Sequence, residues 1–292
     1  MGSNSRAVRA VTREAVACHA SPWWDAPREQ LLVADCETGE VLAARVTVEA
    51  GFHTERLGAG VVGVAALAAT VTGDILLAAG DRVHTRAAGG ALIDGPVVVP
   101  DPLRRVNAGA PDPEGRFVIG TASSREDPMP ELLILLGDGG SDDELEDTDV
   151  VLVDDAGACG GITWSPDGMA MYSVDSQRGV IGKRPWLPGN GPIGARHDWV
   201  HIDEGTPLGI AADLEGGIWV AIDRASRLER YSPTGHRTDV IELDAAAVGS
   251  VTFAGPSLST LVVAPSTRAR GPLLAIEVEV PGAPCTPWSG RV

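Results

Sequence analysis

This sequence predicts an all-β fold, a six-bladed β-propeller, and three observations carry that expectation. A polar turn followed by a short apolar strand recurs six times along the chain. Glycine and proline, 36 and 21 of the 292 residues, are spread over the whole length and not gathered into one linker. The turns are spaced regularly at hairpin distances, which argues against helices.

The repeated strands are Leu31–Ala34, Ile75–Ala78, Phe117–Gly120, Met171–Val174, Ile218–Ala221 and Thr260–Val263. Between their second residues, Leu32, Leu76, Val118, Tyr172, Trp219 and Leu261, the steps are 44, 42, 54, 47 and 42. A period of about 42 to 50 residues with several strands per unit is the mark of a propeller blade. Turn chemistry precedes most copies: Thr72-Gly73-Asp74, Asp112-Pro113-Glu114-Gly115, Ser165-Pro166-Asp167-Gly168 and Asp213-Leu214-Glu215-Gly216-Gly217. The one long step contains the acidic stretch Ser141–Asp147, which reads as a solvated loop inserted in an outer hairpin. Ring closure is expected where Val8–Val16 pairs with the last blade around Leu273–Val280, removing an exposed sheet edge. Residues 1–6 read as a tag or disordered terminus, and residues 7–292 as one propeller domain.

A formal charge of -17 and a pI near 4.6 repel phosphate backbones and anionic lipid, so neither nucleic acid nor membrane is an expected partner. No apolar run reaches the roughly 20 residues of a membrane span. Cys18, Cys36, Cys159 and Cys285 show no CxxC spacing, and no signal peptide precedes them, so reduced thiols in a cytoplasm are the expectation. Lys183 is the lone lysine beside many arginines, the codon bias of a GC-rich bacterium. A monomer or weak homodimer acting on a small-molecule ligand is expected.

Several stretches carry a resemblance. Ser21-Pro22-Trp23-Trp24 is followed by Asp35; Arg105-Val106-Asn107-Ala108-Gly109 leads to Asp112-Pro113-Glu114-Gly115-Arg116-Phe117 and Gly120-Thr121. Gly161-Ile162-Thr163-Trp164-Ser165-Pro166-Asp167-Gly168 runs on to Tyr172 and Val174-Asp175-Ser176. Pro207-Leu208-Gly209-Ile210 precedes Asp213, Gly216 and Trp219-Val220-Ala221, and Phe253-Ala254-Gly255 comes last. In this order, over roughly residues 15–265, they resemble the SMP-30/gluconolactonase/regucalcin (LRE) family.

That resemblance implies a six-bladed propeller holding one divalent cation, Ca²⁺ or Zn²⁺, on its axis through a Glu, an Asn and an Asp. The corresponding positions here are Ala20, Gly160 and Leu208, and none of these side chains offers an oxygen to a hard cation. No cofactor and no metal are therefore expected. Of the positions with which the family holds substrate, Arg105 and Asn107 remain, while an acidic one is replaced by Arg125. The polar side chains projected onto the same face are His19, Asp35, Arg105, Asn107, Arg125, Asp175 and Asp223.

Among these, His19 and Asp223 are the candidate catalytic groups, an imidazole beside the vacated Glu position being suited to proton transfer near neutral pH. Arg105, Asn107, Arg125 and Asp175 are the candidate substrate-binding groups, since paired guanidinium donors grip a carboxylate, phosphate or enolate. Asp35 and Asp175 can equally serve as turn acceptors at strand ends. Cys18 and Cys159 adjoin vacated ligand positions, where a thiolate nucleophile is one reading and small buried thiols the commoner one.

Three functional classes follow. The first is a metal-independent enzyme performing acid/base chemistry, ring opening or closing or isomerisation, on a small oxygenated molecule in bacterial secondary metabolism. The second is a non-catalytic binder of small molecules, and the third a metal-dependent sugar lactonase.

Overall fold

The computed structural model of the chain describes residues 6–13, 15–18, 22–46, 52–58, 60–123, 132–136, 148–152 and 158–290. His19, Ala20 and Arg125 lie outside the described residues, as do Met1–Ser5 and Ser141–Asp147.

The strands form a β-propeller, in six antiparallel sheets among the described residues. Sheet 1 comprises Trp23–Asp25, Gln30–Ala34, Val41–Val46 and Phe52–Arg56; sheet 2 comprises Val64–Ala69, Ile75–Ala79, Arg82–Arg86 and Leu92–Val97. Sheet 3 comprises Arg104–Pro111, Phe117–Ser123, Leu132–Leu136 and Thr148–Leu152. In sheet 4, Cys159–Trp164 and Ala170–Asp175 lead to Val180–Leu187, which pairs with both Gly191–Pro192 and His197–His201. Sheet 5 comprises Thr206–Ala212, Ile218–Asp223, Arg227–Tyr231 and Arg237–Glu242. Sheet 6 takes Ser250–Ala254, Thr260–Ala264 and Leu274–Glu277, and its fourth strand is Val8–Ala10 from the other end of the chain. The pairing Val8↔Ile276 and Ala10↔Leu274, continued by the Val16↔Gly271 bridge, is the closure expected from sequence.

The six repeated strands are the second strands of these sheets, and the burial pattern explains why they stood out. Each lies between two neighbouring sheets and is covered on both faces, so it reads as an unbroken apolar run. Gln30–Ala34, Ile75–Ala79 and Ile218–Asp223 are buried at every position, whereas the outer strand Arg237–Glu242 is mostly exposed. Leu32, Leu76, Val118, Tyr172, Trp219 and Leu261 are all buried. The core is accordingly divided into sectors: Trp219, Phe253 and Leu261 fill one gap between sheets, and Tyr172, Ile210 and Val220 fill the next.

In sheets 2 to 5 the first hairpin is set by its turn residues. The Asp112 carboxylate accepts the Glu114 and Arg116 N–H groups at 2.9 and 3.0 Å, and Asp213 accepts Glu215 and Gly217 at 3.1 and 2.8 Å. Thr70 and Ser165 hydroxyls do the same work in sheets 2 and 4. These are the side chain–backbone bonds that favour Asp, Ser and Thr in turns.

First strands touch one another in cyclic order, sheet 1 to sheet 6 and back, and enclose the axis. The top face is where first strands begin and second strands end; the bottom face carries the first hairpins. After the last strand of sheet 6, the C-terminal segment crosses the bottom face. Leu214 N–H donates to Pro281 O (2.9 Å), Ala283 N–H to Ala212 O (2.9 Å) and Ser289 N–H to Gly115 O (2.8 Å), and the buried Trp288 anchors its far end. Among the described residues no helix is long and apolar enough to cross a membrane.

Candidate functional site

All six first strands line one axial chamber with a volume of about 170 Å³. It runs from Gly160 and Gly161 near the top face to Pro284, Cys285 and Thr286 of the C-terminal segment, which form its floor. Its geometry at the top is set by irregular pairing. The register of the first strands shifts between Val64 and Ala66, Val106 and Ala108, Cys159 and Ile162, and Pro207 and Ile210. Bulges of this kind re-aim side chains beside sites. They bring Asn107, Gly160 and Leu208 to the top ends of successive strands, three of the positions singled out by sequence.

At Asn107 the side-chain Nδ2–H donates to the Cys159 carbonyl at 2.6 Å, tying sheet 3 to sheet 4. Gly160 is a close-approach position. A Cβ there would run into Ser176 Oγ and would stand 3.2 Å from the Leu208 carbonyl oxygen. Any side chain at 160 therefore requires Ser176 to move, and the Ser176 hydroxyl is itself buried without a hydrogen-bond partner. Neither Gly160 nor Leu208 offers a side-chain oxygen, and the Ser176 hydroxyl occupies the space beside Gly160. Nor do any three His, Cys, Asp or Glu side chains converge as a metal group among the described residues.

Arg105 is exposed at the top rim and enters no ion pair among the described residues. The expected carboxylates are engaged. Asp223, expected to be catalytic, is buried and takes Arg268 Nε at 2.6 Å and the Val248 N–H at 3.2 Å. Burial opposes its ionisation, but Arg268 and the Val248 and Arg224 N–H donors outweigh that and hold the carboxyl below its ordinary range. Asp175, expected to contact substrate, is fully buried and accepts the Gln177 and Arg178 N–H groups at 3.2 and 3.0 Å. Asp35 accepts Glu37 and Thr38 N–H and pairs with Arg270 at 2.6 Å, so its carboxyl too is held low against the opposing effect of burial. For Asp35 and Asp175 the turn-acceptor reading of the sequence describes the bonds observed.

Cys18 and Cys159 are buried, and burial, with Cys36 and Asp35 nearby, pushes the Cys18 thiol up, away from nucleophilic character. Sequence reasoning did not find Ser176, the arginines Arg268 and Arg270, or the chamber floor. The signal for the floor was Trp288, a large aromatic at the end of a proline-rich run from Pro281.

This axial site in a propeller defines a class, and the comparisons name it. The chain belongs to the SMP-30/Gluconolactonase/LRE-like family, whose model matches residues 19–267. Regucalcin of Xenopus laevis is 31% identical over 166 residues, 56% of this chain and 54% of that protein. The 6-deoxy-6-sulfogluconolactonase of Pseudomonas putida is 30% identical over 192 residues, 61% of this chain and 63% of that protein. The matched segments thus span less than two thirds of these relatives. In three dimensions the chain resembles a luciferin-regenerating enzyme, with a TM-score of 0.82 at 18% identity, over 97% of this chain and 99% of that one. It also resembles a calcium-binding regucalcin of Agrobacterium tumefaciens, with a TM-score of 0.81 at 20% identity over 97% of each chain.

Proposed function

We propose that this six-bladed member of the family is an enzyme that works on a small oxygenated molecule at the axis without a bound cation. The observation that carries the reading is the fit at Gly160, Leu208 and Ser176, where the space for a ligating side chain is taken by a serine hydroxyl. In this reading Arg105 and Arg125 stabilise developing negative charge on a substrate oxygen, and His19 moves one proton, as in ring opening, ring closing or isomerisation. Asn107 acts as a positioning residue through the Cys159 carbonyl.

A second reading, a binder without chemistry, is favoured by one observation. Asp35, Asp175 and Asp223 are all spent on turns and arginines, leaving His19 to carry proton transfer alone. The lactonase relatives favour a third, hydrolysis of a sugar lactone with a cation.

Elemental analysis after dialysis, with thermal melts in EDTA and in excess Ca²⁺, tests the main reading. The expected result is no stoichiometric divalent ion and no shift of the melt. One tightly held ion per chain, with lactone hydrolysis that EDTA abolishes, would establish the third reading instead. His19→Ala separates the first two: a fall in turnover far exceeding the fall in binding supports an enzyme.

A further inference from the structure

The wall of the axial chamber indicates what kind of molecule fills it, given the reading above that the axis is where ligand binds. Leu67, Ala108, Ile162, Trp164, Ile210 and Phe253 supply an apolar surface contributed by five sheets. The ionic residue in the wall is Asp112, whose carboxylate is already taken by Arg116 at 2.6 Å and by its own turn. Thr163 and Thr252, in sheets 4 and 6, line the chamber beside the open backbone edges of the first strands, and neither side chain makes a hydrogen bond among the described residues. The floor segment bounds this cup of about 170 Å³ at the bottom face. An apolar cavity of about 150 Å³ is filled by a benzene-sized molecule.

We propose that the chamber takes a compact, uncharged molecule built on one apolar ring, with one or two oxygen functions directed at Thr163 and Thr252. The substrate class is then a ring lactone, cyclic ketone or ring alcohol of hydrocarbon character, and not a polyhydroxylated sugar lactone. Two arguments select it. Apolar side chains from five sheets gain by covering hydrocarbon, and each polyol hydroxyl turned to them without a partner forfeits about tenfold in affinity. A carboxylate or phosphate would enter a wall that holds no unpaired cation among the described residues, and leaving water there is costly for a charge.

The probe is benzyl alcohol, with benzoate and glucono-1,5-lactone as its charged and polyhydroxylated counterparts, measured by calorimetry and ligand-observed NMR on the full chain. Benzyl alcohol is expected to bind with a Kd at least about tenfold below either counterpart. Thr163→Val with Thr252→Val should weaken it several-fold, and Cys285→Phe, which fills the cup from the floor, should abolish it. The native thiol provides a readout that needs no variant. Cys285 lines the chamber and is exposed at its floor, so it is open to N-ethylmaleimide, and benzyl alcohol should slow its labelling. Equal or tighter binding of gluconolactone or benzoate would overturn the proposal. So would benzyl alcohol binding that neither responds to Cys285→Phe nor protects Cys285. None of these measurements involves turnover or metal, so a failure of the metal-free reading would show in the EDTA experiment and leave this result standing.

Discussion

On the bottom face, Asp112 and Asp213 pair with arginines of their own sheets, whereas on the top face Asp35 and Asp223 pair with arginines sent across from sheet 6. Arg116 and Arg230 reach Asp112 and Asp213 at 2.6 and 2.7 Å, with 13% and 14% of their side chains exposed. Arg268 and Arg270, both on the loop after Thr260–Ala264, reach Asp223 of sheet 5 and Asp35 of sheet 1 at 2.6 Å, each 39% exposed. The residue types and distances are alike, but the work differs. A bottom-face pair joins carboxylate and guanidinium within one sheet, although Arg116 also donates to the Gly189 carbonyl of sheet 4 at 3.0 Å. The top-face pairs clasp the last sheet to both of its neighbours, at the place where the ring must close.

That contrast is sharpest at Asp213, where one carboxylate accepts two turn N–H groups and both Nε and a terminal nitrogen of Arg230. Asp213→Ala strips all four donors at once in a fully buried position and is expected to cost about 3 kcal/mol of stability. Asp213→Asn keeps an oxygen for the turn and should cost less. Urea unfolding of the two variants checks this, and equal losses would mean that the turn bonds contribute nothing beyond the ion pair.

This division also marks what a sequence can show. The bottom-face aspartates were legible because their partners are local: Asp112 to Arg116 and Asp213 to Gly217 fall within one turn. The second strands were legible because burial on both faces erases alternation. Arg268 and Arg270 were not, because each meets a carboxylate more than 40 residues away and nothing in the adjacent residues points there. Asp223 was a catalytic candidate because the family often has a small or apolar residue there, and nothing in the sequence pointed to its pairing with Arg268. The axial face was legible through the family resemblance only as a set of positions. That Ser176 fills the space beside Gly160 depends on how closely strands of two sheets approach, a packing fact with no local signature.

A smaller effect is expected on the top face. Arg268→Ala and Arg270→Ala should each lower the melting temperature by less than Asp213→Ala does, because their head groups are part-exposed and screened. The two together should lower it more than the sum of the singles, since each alone leaves sheet 6 tied on one side. Raising salt to about 0.5 M should shrink the top-face losses and leave the Asp213 loss nearly unchanged, because screening acts on exposed charges far more than on buried ones. If the two faces respond alike to salt, the distinction drawn between them is wrong.

The smallest expected effect is in acid, and it separates electrostatics from packing at the clasp. Asp35 and Asp223 are held below the ordinary carboxyl range despite burial, by Arg270, Arg268 and backbone donors. Glu229 is held low as well, burial being outweighed by Tyr231 and by Arg227 and Arg237. A carboxyl whose folded pKa lies below its unfolded value adds stability that is complete above about pH 4 and is lost as pH falls through the folded value. Arg268→Ala with Arg270→Ala removes the donors and leaves the burial, so the Asp35 and Asp223 values rise and their share of that stability disappears. The double variant should therefore be less stable than the parent chain near pH 6. The two should converge towards about pH 2, where the carboxyls are protonated in both. Glu229, in sheet 5 and untouched by the substitutions, keeps some acid dependence in each. Urea midpoints measured across this range supply the test, and a deficit that is the same at every pH would show that the arginines act through packing of their stems alone.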